Sequence, residues 1–130
     1  MIEAQEPLYP GFLRVIWDAH VAEWSDLNAS DRALLMSVVT GLEQFVREQF
    51  QPDKVNLASL GNVVPHLHWH IIPRFKDDAH FPAPVWAQAA EGKGLAPRQQ
   101  TIKTTESEWL VKLEAYIQAL TAELAAGGLC

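Results

Sequence analysis

The sequence is poor in the features that mark secreted or membrane proteins. Its single cysteine, Cys130, is the last residue, so no internal disulfide and no cysteine-based metal knuckle can be drawn. A reducing cytoplasmic compartment is the expectation. No apolar run approaches the ~20 residues that a membrane-spanning helix needs. The opening Met1-Ile2-Glu3-Ala4-Gln5-Glu6 has no basic patch leading into an apolar stretch, so no signal peptide is expected. Positive charge is scarce as well. Ten Lys and Arg stand against 16 Asp and Glu, a net charge of −6. That balance argues against broad binding to nucleic-acid backbones, yet leaves room for a small anionic ligand in a locally positive site. No repeat of fixed period and no low-complexity tract is visible.

What remains is a chain of 130 residues, 48% hydrophobic, long enough for one domain with a real core. The turn Tyr9-Pro10-Gly11 leads into Phe12-Leu13-Arg14-Val15-Ile16-Trp17, which reads as a strand. Ser30 reads as the N-cap of an amphipathic helix over 31–49, with Leu34, Leu35, Val38, Leu42, Phe45 and Val46 at helical spacing and Pro52 just beyond. Val55–Leu60 alternates as a strand, and Gly61-Asn62 is the predicted hairpin turn into the next one. Residues 76–104, with Pro82, Pro84 and Pro97, read as a long irregular loop, placed over the site or over a partner subunit. Thr105 and Glu108 predict a capping box that opens a C-terminal helix over 105–127. Its stripe Trp109, Leu113, Tyr116, Ile117, Leu120 and Leu124 is core or dimer contact, and Gly127-Gly128 stops it. The sum is an α+β fold, an antiparallel sheet with one long helix packed on it and a second helix at the C-terminal end.

Three of the five histidines fall at alternate positions in Pro65-His66-Leu67-His68-Trp69-His70-Ile71-Ile72-Pro73-Arg74. Successive side chains on a strand face opposite ways. His66, His68 and His70 therefore line one face, while Leu67, Trp69 and Ile71 turn toward a core, Trp69 against the 31–49 helix. A lone strand histidine is usually a solvated side chain; three in strict alternation point to chemistry. One option is a metal, but ligands at i and i+4 stand ~13 Å apart along a strand, so a third ligand must come from elsewhere, with His20 or His80 as candidates. The other is nucleophilic attack on phosphorus by a neutral imidazole, with its neighbours holding oxygens or protonating the leaving group.

His66-Leu67-His68-Trp69-His70-Ile71-Ile72 resembles the His-φ-His-φ-His-φ-φ pattern of the histidine triad (HIT) superfamily. Asn56, Gly61-Asn62, Pro73-Arg74, the Tyr9-Pro10-Gly11 turn and Asp26-Leu27 match its surroundings over roughly Tyr9 to Phe75. The resemblance implies a single HIT-like domain over 1–130, with its motif-bearing core at 9–75. It implies a bacterial-type nucleotide hydrolase or transferase acting at a nucleoside α-phosphate. Phosphoramidates, nucleotidyl-acyl compounds and dinucleoside polyphosphates are the implied substrates. By analogy His68 is the nucleophile that becomes nucleotidylated; His66 and His70 position it and contact phosphate, with His70 assisting the leaving group. Asn56 and Asn62 match positions that touch phosphate. No cofactor or metal is implied, the partner is a small nucleotide, and a cytoplasmic homodimer is expected by analogy. The alternative is a non-catalytic purine nucleotide-binding or interaction protein of the same fold.

Four departures bear on that alternative. Phe12 stands where many relatives carry a fourth histidine, and His20 falls too far along to replace it. Val63 stands where Ser or Thr is common beside the leaving group. Ala4 and Gln5 fall near the position of an acidic ribose contact, with Glu6 the candidate substitute. Asn62 replaces a commoner Gln with a shorter side chain of the same amide chemistry.

Overall fold

In a computed structural model of the chain, residues 2–3 and 6–127 are described. Ala4 and Gln5, set against the ribose contact, lie outside that range, as do Gly128 and Cys130. Strand β1 (Ile2–Glu3) and strand β2 (Leu13–Ile16) are followed by a 3-10 turn and helix α1 (Ala29–Phe50). Strands β3 (Lys54–Ala58) and β4 (His68–Arg74) then precede helices α2 (Pro97–Thr104) and α3 (Glu106–Ala126). The sheet is antiparallel throughout, in the order β1-β2-β4-β3. No described helix is long and apolar enough to cross a membrane.

The register sorts the two faces. Arg14 pairs with His70 and Ile16 with His68, while Asn56 pairs with Ile72 and Ala58 with His70. Paired residues share a face, so Arg14, Ile16, His68, His70, Ile72, Arg74, Ala58 and Asn56 lie on the same side. Leu13, Val15, Ile71 and Val55 occupy the other and join Leu35, Val39, Leu42 and Val46 of α1 in the main core. Trp109 and Leu113 of α3 extend that core. Leu120 packs so close to Gly41 that a Cβ there would sit 2.7 Å from it. The predicted back-face role of Leu67 and Ile71 is met, since they are 4% and 0% exposed. Trp69 packs on the same core and meets Trp24 edge-on at 5.7 Å.

Four local expectations are corrected. The cap of α1 is Asn28, not Ser30: the Asn28 carboxamide accepts from the Asp31 N–H at 2.8 Å, which starts the helix earlier. The β3–β4 connection is no two-residue turn at Gly61-Asn62, because both strands stop short and residues 59–67 form the link. The 76–104 stretch is not irregular to its end. Pro97 opens α2, a position where its missing N–H costs nothing. Because α2 runs up to it, Thr105 turns its hydroxyl back to the Thr101 carbonyl at 2.7 Å, and the expected capping box does not form.

Candidate active site

The histidines meet in a cleft of about 590 Å³ on the face of the sheet opposite α1. β4 supplies His68 and His70, and β2 supplies Arg14 and Ile16. The 59–67 link supplies His66 with Leu60, Asn62, Val63 and Val64, and Trp86 reaches in from the loop. His66 is therefore not on the strand with the other two. Neither β2 nor β3 extends far enough to pair with it, and its N–H bonds locally to the Val64 carbonyl at 2.8 Å. The three still share one cavity, as the alternation predicts.

The hydrogen bonds fix which nitrogens are free. His68 Nδ1 faces the His66 backbone carbonyl. A carbonyl only accepts, so Nδ1 carries the proton and Nε2 keeps the lone pair. By the same logic His66 Nε2 donates to the Trp17 carbonyl. Its Nδ1 then accepts from His20 Nδ1, 3.1 Å away, with the two rings 5.3 Å apart. Both ring nitrogens of His66 are thus committed within the protein. What His66 offers its neighbour is a main-chain oxygen that orients the His68 ring.

His70 is 5% exposed, and its Nδ1 has no hydrogen-bond partner. Burial, then the neighbouring His68 and Arg14, pull its pKa down from 6.5 to about 4. It is neutral at neutral pH. Its ring meets His68 at 4.9 Å, Phe12 at 5.3 Å and Trp86 at 5.4 Å, each edge-on. Phe12, at the position where the resemblance implies a fourth imidazole, is 2% exposed and packs edge-on against His70 without lining the cleft. Val63, which lines the cleft, is 93% exposed.

Asn62 lies at the cleft as expected, exposed and free of hydrogen bonds to other described residues. Asn56 does not line it. Its Oδ1 accepts from Arg74 Nη1 at 2.8 Å, inside a second buried network. There Asp78 accepts from Arg74 Nε at 2.8 Å and Nη2 at 3.1 Å. It also accepts from the backbone N–H groups of Phe75, His80 and Phe81 and from the Tyr9 hydroxyl. Burial alone would raise the Asp78 carboxyl; Arg74 and the three N–H groups outweigh it and hold the pKa at about 2. Burial and the Asp78 charge drive the Tyr9 hydroxyl up. This network anchors the loop that carries Trp86 to His70, since Arg74 Nη2 also holds the Ala83 carbonyl at 2.8 Å.

The candidate third metal ligands go elsewhere. His20 pairs with His66, and His80 Nδ1 meets the Tyr9 hydroxyl at 2.6 Å. Among the described residues, no group of three or more His, Cys, Asp or Glu stands close enough to share an ion. Sequence reasoning missed Arg14 and Trp86 as cleft residues. Arg14 carried a signal, a lone charge alternating with apolar residues in a strand next to the histidines. Trp86 lies in the loop expected over the site or over a partner subunit, but no pattern singled out that residue, because only the loop path brings it there.

The family model for the HIT domain matches residues 1–77. The chain is 30% identical over 94 residues to the asymmetrical bis(5'-nucleosyl)-tetraphosphatase of Schizosaccharomyces pombe, a match covering 68% of this chain and 52% of that protein. It is 31% identical over 77 residues to a bis(5'-adenosyl)-triphosphatase of Saccharomyces cerevisiae, covering 55% and 37% respectively. The chain thus spans about half or less of these relatives' lengths. A solved histidine triad protein from Bradyrhizobium japonicum superposes with a TM-score of 0.59 at 30% identity, over 88% of this chain and 75% of that one.

Proposed function

The chain belongs to the HIT domain family, and from that premise we propose that it is a nucleotide hydrolase or transferase acting at a nucleoside α-phosphate. The observation that carries the reading is His68, a cleft-lining residue whose Nδ1 is tied to the His66 carbonyl, which leaves Nε2 as the ring nitrogen with a lone pair. Nε2 attacks phosphorus, a P–N bond forms, and the bond from phosphorus to the leaving group breaks. The leaving group departs with the electron pair and takes a proton. His70 supplies that proton: it is neutral in the free protein, and the negative charge of a bound phosphate favours its protonated form. Water then attacks the phosphoramidate and gives a proton back to His70, the P–N bond breaks, and a nucleoside monophosphate leaves with both His68 and His70 restored.

In this reading His66 positions His68 and Asn62 touches the substrate. Asn56 acts from behind, through Arg74. The half-exposed Ile16, Leu60 and Val64 give the cleft an apolar wall for the nucleoside. Dinucleoside polyphosphates are the favoured class, in line with the named relatives, with phosphoramidates and nucleotidyl-acyl compounds as alternatives. The same reading includes a cytoplasmic homodimer. β3 is an outer strand of the described sheet, and its Leu57 is 43% exposed. Sedimentation velocity at micromolar concentration tests it, and a monomer there removes it.

The catalytic test uses a fluorogenic adenosine phosphoramidate and a dinucleoside polyphosphate series. The wild type turns over at least one of them, and a denaturing quench of a His70→Ala variant at alkaline pH, where a P–N bond to histidine survives, traps nucleotide on the protein. His68→Asn loses turnover by at least about 1000-fold, in keeping with loss of a nucleophile. AMP binding without turnover of any substrate overturns the catalytic reading in favour of a nucleotide-binding protein, a role suited to Phe12 and Val63.

A further inference from the structure

We infer that Arg14 is the charge anchor for the phosphoryl group in this cleft, a ligand-binding residue that works beside His68 and His70. The inference rests on the nucleotide reading above and goes beyond it. A phosphate entering the cleft brings negative charge into a space walled partly by Ile16, Leu60, Val63, Val64 and Trp86, and something fixed must answer that charge.

The imidazoles cannot do so in the free protein. His66 spends both ring nitrogens on Trp17 and His20, and His68 spends Nδ1 on the His66 carbonyl. His70 is buried and neutral. Phe12 and Val63 donate no side-chain hydrogen bond. Among the described residues Arg14 is the one permanently cationic side chain lining the cleft, and none of them lining it is acidic.

Its placement fits the task. Arg14 sits directly across the β2–β4 ladder from His70, on the same face. Arg14 Nε is buried without a hydrogen-bond partner, and so is His70 Nδ1 beside it. Among the described residues Arg14 forms no salt bridge, whereas Arg47, Arg74 and Arg98 each have a carboxylate. A buried guanidinium N–H left unpaired is costly. A phosphoryl oxygen supplies the missing acceptor with the right charge and with geometry that a planar fork matches. A fixed cation next to His70 places charge beside the site at every working pH, where Phe12 supplies none.

The test reads ligand affinity rather than turnover, so it stays separate from the catalytic reading. AMP, adenosine and inorganic pyrophosphate are titrated calorimetrically into the wild type, Arg14→Gln and Arg14→Lys, at low and at moderate salt. Arg14→Gln weakens AMP and pyrophosphate by roughly 10- to 100-fold, the loss expected for one charge-assisted hydrogen-bonded contact. Adenosine binding is unchanged, and Arg14→Lys recovers part of the loss. In parallel, the His70 ring titrates at higher pH in Arg14→Gln when followed by NMR. Three results overturn the inference. The first is equal AMP affinity in wild type and Arg14→Gln. The second is an adenosine loss as large as the AMP loss. The third is a wild type that binds neither AMP nor pyrophosphate. If Arg14→Gln does not fold, the folded Arg14→Lys variant and the salt dependence of the wild type decide: anion affinity that is blind to both overturns it. A protein that binds AMP through Arg14 and turns over nothing leaves this inference standing while removing the catalytic one.

Discussion

At the residue scale Asp78 shows how much a single side chain can hold. It is 1% exposed and is the only carboxylate against the buried Arg74 guanidinium among the described residues. Asp78→Asn keeps the shape and removes the charge, leaving Arg74 desolvated and uncompensated. The expected cost is about 3–5 kcal/mol of unfolding free energy, the range for breaking a buried pair from one side. Urea denaturation of the two proteins checks it, and a change under about 1 kcal/mol would mean that the network is far wetter than its burial implies. Arg74 was visible in the sequence as the residue closing the histidine motif. Asp78 was not, since an acidic residue in Lys76-Asp77-Asp78-Ala79 reads as solvated loop until the chain folds back onto Tyr9. The histidines divide in the same way. Alternation alone put His68 and His70 on one face, but the commitment of both His66 ring nitrogens depends on Trp17 and His20, far away in sequence.

At the scale of elements, the end of α1 carries a testable strain. Gln51 adopts φ 48° and ψ 53°, the left-handed conformation that closes the helix, with its N–H on the Arg47 carbonyl. A non-glycine residue there meets a steric penalty of about 1–2 kcal/mol, part of which glycine returns in unfolded-state entropy. Gln51→Gly is therefore expected to stabilise by about 0.5–1 kcal/mol, read as a higher denaturation midpoint at unchanged slope. The opposite case is Gly11, at φ +82°, where a Cβ would lie 2.7 Å from the Phe50 ring. Gly11→Ala combines backbone strain with a core clash, and a loss of about 2 kcal/mol or more is expected by the same measurement. Both helices with strong apolar periodicity were legible from the sequence, as were the strands around the histidines. Their ends were less so. Asn28 and Ser30 are comparable caps by type, and the choice falls to the earlier residue, whose carboxamide reaches the Asp31 N–H. α2 is nearly polar along its exposed face, with only Gln99 and Ile102 buried, so periodicity gave no sign of it.

At the scale of the whole molecule, acid should weaken the fold in two separate steps. The folded His70 pKa, about 4, lies below its ordinary 6.5. The unfolded chain then binds the proton more tightly, and protonation favours unfolding. The stability linked to His70 is fully present above about pH 6.5 and falls as the pH drops toward 4, by about 3 kcal/mol for a shift of this size. Asp78 titrates at about 2 when folded against an ordinary 3.8. Its contribution is intact above about pH 3.8 and is lost as the pH falls through 2. Equilibrium denaturation across this range should show both limbs, and His70→Asn should erase the first while keeping the second. A first limb that survives the substitution would assign it to another group.

By itself the sequence determined that His68 and His70 share a strand face backed by a core, that a long helix packs on that core, and that the motif is of the histidine triad kind. Those are local matters of period, residue type and spacing, and an antiparallel strand with one buried face leaves little freedom in how they resolve. The tertiary structure decided what surrounds these histidines. It brought Arg14 across the ladder to His70, carried Trp86 over from a loop tied down by Asp78, drew Asn56 away to Arg74 and locked His66 against His20 and Trp17. Each of these depends on strand register or on a loop path that spans distant parts of the chain, and such pairings are set by the packing of the whole domain rather than by any local pattern.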